Sequence, residues 1–495
     1  MSKRTLFQFF HWYSPGEGIL WNEVAEKAGE LSALGITDVW LPPAYKGASG
    51  VKSVGYDTYD LFDLGEFDQK GSVATKYGDR NALEKACKAL NDHGLRPIHD
   101  VVLNHKMGAD EKERVVVRRV NSDDRTRIEE DDIEALAHTR FTFPGRSGKH
   151  SEFIWDKQCF SGVDVIEEPD ETGVFRLMNA YGEGQWNVEV DDELGNFDYL
   201  MGADVEFRNR AVYEELKYWG RWFSEQVPVS GFRLDAAKHI PAWFFKDWVG
   251  HMRDTVGSDL FVVAEYWHPE MATLANYLDL VDSQLMLFDV ALHHRFHEAS
   301  KAGAEFDMRT IFDGSLVSSI PEHAVTLVDN HDTQPLQSLE AAVEPWFKPL
   351  AYALILLREQ GTPCVFYPDL YGANYSDAGD DGSHQEVQMP LIGCLPRLIE
   401  ARRRFANGVQ IDRFESPNVI GFVRQGTDTD PGCVVTMSNG DAGNLSLELG
   451  PDQANMAFVD FLGHHDAEVT TDRHGRGDFP TNGGSVSVWV CRDGL

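Results

Sequence analysis

The amino-acid sequence predicts an α/β fold: a (β/α)8 TIM barrel with a subdomain inserted after the third strand and a C-terminal antiparallel β-sandwich. Three observations carry this expectation. Eight short apolar runs end in polar or charged residues and alternate with helical patterns; the cadence breaks once, between the third and fourth runs; and the pattern changes after about residue 395.

The runs are Leu6–Phe10, Ile36–Leu41, Arg96–Val102, Gly231–Asp235, Leu260–Glu265, Leu285–Asp289, Ala324–Asp329 and Pro363–Tyr367. A strand covered on both faces reads as a continuous apolar stretch rather than an alternating one, which is what a parallel barrel requires. Helices are expected between them, among them Asn22–Leu34, Arg80–His93, Ala211–Gln226 and Lys348–Gln360. The segment 105–207 is too long for one strand-to-helix connection and is rich in charge, glycine and aromatic residues, so it reads as a subdomain on the loop after strand three. From 396 to 495, runs such as Asn418–Val423, Gly432–Met437 and Gly484–Cys491 lie between Gly, Asp and Asn turns, the signature of an antiparallel sandwich. The expected division is therefore 1–104 and 208–395 for the barrel, 105–207 for the insert and 396–495 for the sandwich.

Composition narrows the function. Eighty acidic residues oppose 45 basic ones, a formal net charge of −35. Such a field repels nucleic acid and anionic membrane surfaces, but a neutral polymer does not feel it. No stretch approaches the roughly 18 apolar residues of a membrane span, and the apolar run at the N-terminus is too short for a signal sequence. The six cysteines are scattered and form no CxxC pair, so they read as reduced thiols in a cytoplasmic protein. Twelve Trp and 15 Tyr suit stacking on flat ligands, though aromatic residues fill cores as well.

In a barrel of this kind the chemistry sits at the C-terminal ends of the strands. The polar residues there are Asp100, Asn104 and His105; Arg233 and Asp235; Glu265; and Asn330, His331 and Asp332. Asp235 and Glu265 are 30 residues apart, one strand–helix–strand unit, which puts them on adjacent strand ends. Hydrolysis of a glycosidic bond with retention needs two carboxyl groups about 5–5.5 Å apart, one a nucleophile and one a proton donor. Arg233, two residues before Asp235, points to the same side of the strand and favours the carboxylate form of its neighbour. Ala264, Tyr266 and Trp267 flank Glu265 with an apolar setting that would raise its pKa for acid duty. Spacing alone also admits a structural Arg–Asp pair with an unrelated Glu nearby.

Four segments taken together resolve that choice. Asp100-Val101-Val102-Leu103-Asn104-His105, Gly231-Phe232-Arg233-Leu234-Asp235-Ala236-Ala237-Lys238-His239, Ala264-Glu265-Tyr266-Trp267 and Val328-Asp329-Asn330-His331-Asp332 resemble, in order, the four signatures of the alpha-amylase family of glycoside hydrolases. The likeness runs from Gly55-Tyr56-Asp57 to the β-rich tail and is strongest to bacterial liquefying-type and cytoplasmic members. It implies an endo-acting enzyme that hydrolyses internal α-1,4 bonds of starch, glycogen or maltodextrins with retention. By matching motif, Asp235 is the nucleophile, Glu265 the acid/base and Asp332 the third catalytic carboxylate. His105, Arg233, Lys238, His239, His331, Tyr56 and Trp267 match substrate-contacting positions. The resemblance further implies one structural Ca2+, held by Asn104, Asp198, Asp204 and His239 (through its carbonyl). Ser161, Asn187, Glu206 and Arg208 stand where secreted relatives place further metal-binding carboxylates, so a single calcium and a lower tolerance of heat and chelators are expected. The chain is expected to act as a monomer on an α-glucan. Transglycosylation, branching or debranching on the same fold, and a non-catalytic glucan-binding module, are the competing readings. Product analysis separates the first group, and retention of every catalytic carboxylate speaks against the second.

Overall fold

The computed structural model describes residues 3–379 and 382–494. Eight parallel strands close a barrel: β1 (Leu6–Gln8), β2 (Asp38–Leu41), β3 (Arg96–Val101), β4 (Gly231–Leu234), β5 (Phe261–Ala264), β6 (Met286–Phe288), β7 (Ala324–Leu327) and β8 (Thr362–Phe366). Each pairs with its sequence neighbours, and β1 closes onto β8. Every strand falls within or against one of the eight apolar runs. Most stop one or two residues short of the run's end, where the chain leaves the ladder to face the cleft.

The helices follow from local chemistry. Asp79 caps Arg80–Asp92 by accepting from the Ala82 amide at 2.8 Å, and the helix buries Leu83, Ala86, Cys87 and Leu90 at three- and four-residue spacing. Asn209 does the same for Arg210–Gln226, which buries Val212, Leu216, Trp219 and Phe223. Each such side chain removed from water contributes roughly 1.5–3 kcal/mol. Gly231 opens β4 because there is no room for anything larger: a Cβ would stand 2.2 Å from the Phe261 carbonyl oxygen of β5.

Between β3 and β4 a six-stranded antiparallel sheet runs in the order 105–106, 203–205, 160–166, 171–177, 111–120, 133–140. Its first two strands, His105–Lys106 and Ala203–Val205, bring the start and end of the insert together beside the end of β3. At the other end of the chain, helix Leu395–Arg404 packs on helix Lys348–Leu357 of the barrel. The antiparallel strands therefore begin at Gln410 rather than at residue 396. A six-stranded sheet there faces the pair Gly443–Glu448 and Arg476–Thr481 across Val423, Val434, Leu447, Phe458, Phe479 and Trp489. All six cysteines are free, and no helix among the described residues is long and apolar enough to cross a membrane.

Candidate active site

Register places the central residues. Arg233 of β4 lies opposite Asp100 of β3, and Leu234 lies opposite Ala264 of β5. One step beyond the last pair, Asp235 and Glu265 leave neighbouring strands side by side. Adjacent strands are about 4.8 Å apart, so two register-matched carboxyl groups start at about the separation that retaining glycosidases use.

Arg233 organises the cluster. Its Nη1 donates to Asp100 Oδ1 at 2.8 Å and to Asp235 Oδ1 at 2.6 Å, while Nη2 donates to Glu265 Oε2 at 2.8 Å. The guanidinium is almost wholly buried and lies over the rings of Trp40 and Tyr56. Burial alone would lower its pKa, but the surrounding Asp100, Tyr56, Glu265 and Asp235 raise it well above the usual value. Asp100 is held from its other oxygen by Trp40 Nε1 at 3.0 Å and Tyr56 Oη at 2.9 Å, and so keeps Arg233 pointed at the two carboxylates.

One cation thus stands among four carboxyl groups, and proton affinity rises in consequence. Burial pushes the Asp235 carboxyl well above the carboxylate range; Arg233 pulls against this, and Glu265, Asp100 and Asp332 add to the rise. Burial, Glu265 and Asp100 push Asp332 up to about 8 against the pull of Arg233. The immediate contacts of Glu265 are polar rather than apolar. Besides Arg233, the Ala236 amide donates to Oε2 at 3.2 Å. Ala236 has φ of +52°, an unusual conformation for a residue with a Cβ, and this turn aims its amide back at Glu265.

The fourth motif is fixed by its own side chains. Asn330 Oδ1 accepts from the amides of Asp332 at 2.9 Å and Thr333 at 3.0 Å. Beneath it, Asp329 and Asp369 share the buried Lys348, at 2.7 and 2.5 Å. Gln8 Nε2 stands 3.0 Å from His331 Nδ1; with the amide donating, Nε2–H of His331 faces Asp332 Oδ2 at 3.4 Å. Burial, then Arg233, drives the His331 pKa well below its usual value, so the ring is neutral.

The remaining predicted substrate residues divide. Tyr56 stacks with His331 at 5.1 Å and with Trp12 at 5.8 Å, forming an aromatic wall beside the carboxylates. His105 donates from Nε2 to the Tyr56 carbonyl at 2.7 Å and so supports that wall from behind. Lys238 pairs with Glu193 of the insert at 2.8 Å, and His239 Nδ1 lies 2.7 Å from the Phe197 carbonyl. Trp267 lies against His293 and His294 of helix Val290–Ala302 rather than against the carboxylates. Trp12, Trp40 and Lys348 were not singled out from sequence. Trp12 had a signal: it follows the first strand by four residues, on the face where the other motifs converge.

Next to this cluster, Asn104, Asn187, Asp198 and Asp204 form a second buried group. Asn104 Nδ2 donates to Asp204 Oδ1 at 3.3 Å, Ser161 Oγ bonds Asp204 Oδ2, and Asn187 donates to Asp198 Oδ2 from N at 2.8 Å and Nδ2 at 3.0 Å. Asn104 Oδ1, Asn187 Oδ1 and Asp198 Oδ1 are buried without a hydrogen-bond partner. Burial raises the Asp198 pKa to about 7, and burial with the adjacent Asp198 raises Asp204 well above its usual value. Among the described residues no three His, Cys, Asp or Glu side chains converge as a metal centre. The donors are two carboxylates and neutral amide oxygens, which fit a hard cation such as Ca2+ and not a soft one. Arg208 pairs with Glu206, Nε and Nη2 bidentate at 2.6 Å each, and stands close enough to pull against the rise of the Asp198 pKa.

Residues 17–389 match the family described as alpha amylase, catalytic domain. The chain is 59% identical to the cytoplasmic alpha-amylase of Escherichia coli, with 100% of both chains covered. It is 43% identical to the glucan 1,4-alpha-maltohexaosidase of Bacillus sp. strain 707, over 98% of this chain and 92% of that one. It is 41% identical to the alpha-amylase of Bacillus licheniformis, over 99% and 93%. Among solved structures, the Geobacillus thermoleovorans alpha-amylase complexed with acarbose superposes with a TM-score of 0.65 at 17% identity, over 99% of this chain and 98% of that one, a likeness of fold. With its family match spanning most of the barrel and insert, this chain belongs to the alpha-amylase family.

Proposed function

We propose that this chain is an endo-acting alpha-amylase that hydrolyses internal α-1,4 bonds of starch, glycogen or maltodextrins with retention of anomeric configuration. The observation that carries the reading is the pair of register-matched carboxylates on β4 and β5 held by one guanidinium. Asp235 attacks the anomeric carbon and the C–O bond to the leaving sugar breaks, while Glu265 gives its proton to the departing oxygen. Water then attacks the glycosyl–Asp235 ester, with Glu265 taking the proton back. Asp332 accepts hydrogen bonds from sugar hydroxyls, bonds that tighten as the ring flattens toward the oxocarbenium-like transition state. Arg233 and His331 contact the sugar and Tyr56 is its stacking platform, while His105 acts on the sugar through the Tyr56 backbone that it bonds. Lys238 and His239 serve the sugars just beyond the cleavage point, whereas Trp267, packed on His293 and His294, fits a core residue better than a sugar contact.

Asn104, Asp198, Asp204 and the carbonyl of His239 would hold one Ca2+, which would supply charge neutralisation and tie the insert to the barrel; the orphaned oxygens of Asn104 and Asp198 support this. The division into barrel, insert (105–207) and C-terminal sandwich is adopted with it. The cytoplasmic location and monomeric state are proposed as well, the former on the 59% identical relative named for that compartment.

The test is starch–iodine and reducing-end assays of wild type, Asp235→Asn and Glu265→Gln, with NMR of the first product. Loss in both variants and an α-anomeric first product are expected. Equal activity in all three proteins, or a β-anomer, would refute the assignment. Products longer than the substrate, or cleavage of α-1,6 bonds in pullulan, would replace the hydrolase by its rivals.

A further inference from the structure

The two catalytic carboxylates sit at the very ends of their strands, so the loops that follow decide how firmly they are held. Among the described residues, Asp191 of the insert hydrogen-bonds to both loops. Asp191 is buried at 3% exposure, although it lies in an otherwise largely exposed stretch of the insert. Its amide donates to the Lys238 carbonyl at 2.9 Å, which ties it to the loop after β4, three residues beyond Asp235. Its Oδ2 accepts from the Tyr266 hydroxyl at 2.6 Å, which ties it to the loop after β5, next to Glu265. Its Oδ1 accepts from the Glu193 amide at 2.8 Å, and its carbonyl accepts from the Phe197 amide at 2.9 Å, so the aspartate itself is locked on all sides. Tyr266 is buried and leans on Tyr277 at 4.6 Å, leaving its hydroxyl one direction to point. Between the two loops themselves, the Ala237 amide donates to the Glu265 carbonyl at 2.9 Å.

We propose that Asp191 is a positioning residue: through Lys238 and Tyr266 it clamps the loops after β4 and β5 and so fixes the spacing of Asp235 and Glu265. The inference rests on the assignment of those two carboxylates to nucleophile and acid/base. Arg233 and the Ala237–Glu265 bond already join the two carboxylates from the barrel side, and Asp191 braces the loops behind them from the insert side; retention tolerates only a narrow separation, so the brace matters. The insert thereby takes part in catalysis without touching the sugar at this point. The Tyr266 hydroxyl and Asp191 Oδ2 are both buried and 2.6 Å apart, a short, directional bond that water does not compete for.

The experiment is steady-state kinetics on a soluble maltooligosaccharide for wild type, Asp191→Ala, Asp191→Asn, Tyr266→Phe and the double variant Asp191→Ala/Tyr266→Phe, with Asp235→Asn as the inactive reference. Misplacing a reacting group by a fraction of an ångström costs about 10- to 100-fold, so Asp191→Ala is expected to lower kcat by that factor with KM within about twofold. Tyr266→Phe, which removes one oxygen and preserves packing, lowers kcat in the same sense. Asp191→Asn, which keeps an acceptor for Tyr266, retains more activity than Asp191→Ala. The double variant loses no more than Asp191→Ala alone, since both changes break one contact. Unchanged kcat in Tyr266→Phe and Asp191→Ala with only a lower melting temperature, a loss confined to KM, or additive losses in the double variant would each overturn the proposal. An inactive wild type, or Asp235→Asn matching wild type, would instead remove the catalytic assignment beneath it.

Discussion

Two buried acidic clusters lie side by side in this protein, and they solve the same electrostatic problem differently. Around β4, the Arg233 guanidinium donates directly to Asp100, Asp235 and Glu265. In the insert, Arg208 spends its guanidinium on Glu206, and Asn104 Oδ1, Asn187 Oδ1 and Asp198 Oδ1 have no partner. The first cluster carries its own cation; the second leaves three side-chain oxygens without a partner, which is what the proposed Ca2+ would fill. An internal cation cannot be washed out, so the arrangement of Asp100, Asp235 and Glu265 does not depend on ions in the medium. The proposed calcium would make the joint between insert and barrel depend on ion supply.

The largest effect expected from breaking this comparison is catalytic. Glu265→Gln should lower kcat by about 10²–10⁴-fold, the usual worth of a general acid, and Asp235→Asn by at least as much. Melting temperatures should hold or rise, because each change relieves a cluster in which four buried carboxyl groups crowd one guanidinium. Calorimetry beside the activity assay checks this; a large fall in melting temperature would mean that these carboxylates hold the fold together. Arg233→Met should act in the opposite way on stability. It leaves Asp100, Asp235 and Glu265 buried without their cation, and breaking such a pair costs about 3–5 kcal/mol. Chemical denaturation reads the loss, and an unchanged midpoint would show that Arg233 serves the substrate alone.

The insert's cluster should respond to calcium instead. Added Ca2+ at 100 times its dissociation constant would stabilise the folded chain by about 2.7 kcal/mol, and EGTA would reverse it. Asp198→Asn and Asp204→Asn should each reduce that response, while Arg208→Gln, which lies outside the oxygen group, should not. Calcium titrations followed by differential scanning calorimetry distinguish the variants. A calcium response that survives both Asp changes would place the ion elsewhere.

How far this was legible in the sequence depends on the range of the contacts involved. The eight barrel strands could be read because a strand buried on both faces is a continuous apolar run, visible within five residues. Asp235 and Glu265 could be read because they stand one repeat apart at strand ends. The helix over Leu395–Arg404 was missed as part of the barrel because three successive arginines look like a polar start of a new region, although Arg402 is buried and donates to Thr5, Leu356 and Arg4 of the barrel. Asp191 gave no signal, for it is one of four acidic residues between 189 and 193, and only the fold reveals which of them is buried. The apolar neighbours of Glu265 in sequence misled about its contacts, since the turn at Ala236 supplies a backbone donor that no spacing announces.

The smallest effect concerns pH and returns to the cluster with the internal cation. Arg233 does not donate to Asp332, whose carboxyl is pushed up to about 8, first by burial and then by Glu265. A carboxyl with a raised pKa in the folded chain holds a proton that the unfolded chain has already lost. Its contribution to stability is therefore full below its ordinary pKa and is lost as the pH rises through about 8. One such proton can change stability by at most about 1.4 kcal/mol per pH unit. The Asp332 side chain is 20% exposed, and water reaching it reduces that slope, so on the order of 1 kcal/mol between pH 6 and 8 is expected. The difference in unfolding free energy between wild type and Asp332→Asn, measured across that range, isolates the term because the remaining groups are common to both. Wild type should lose ground to the variant as pH rises. A difference that stays constant would mean that Asp332 is already ionised at pH 6, and that Arg233 balances all four carboxylates rather than the three it bonds.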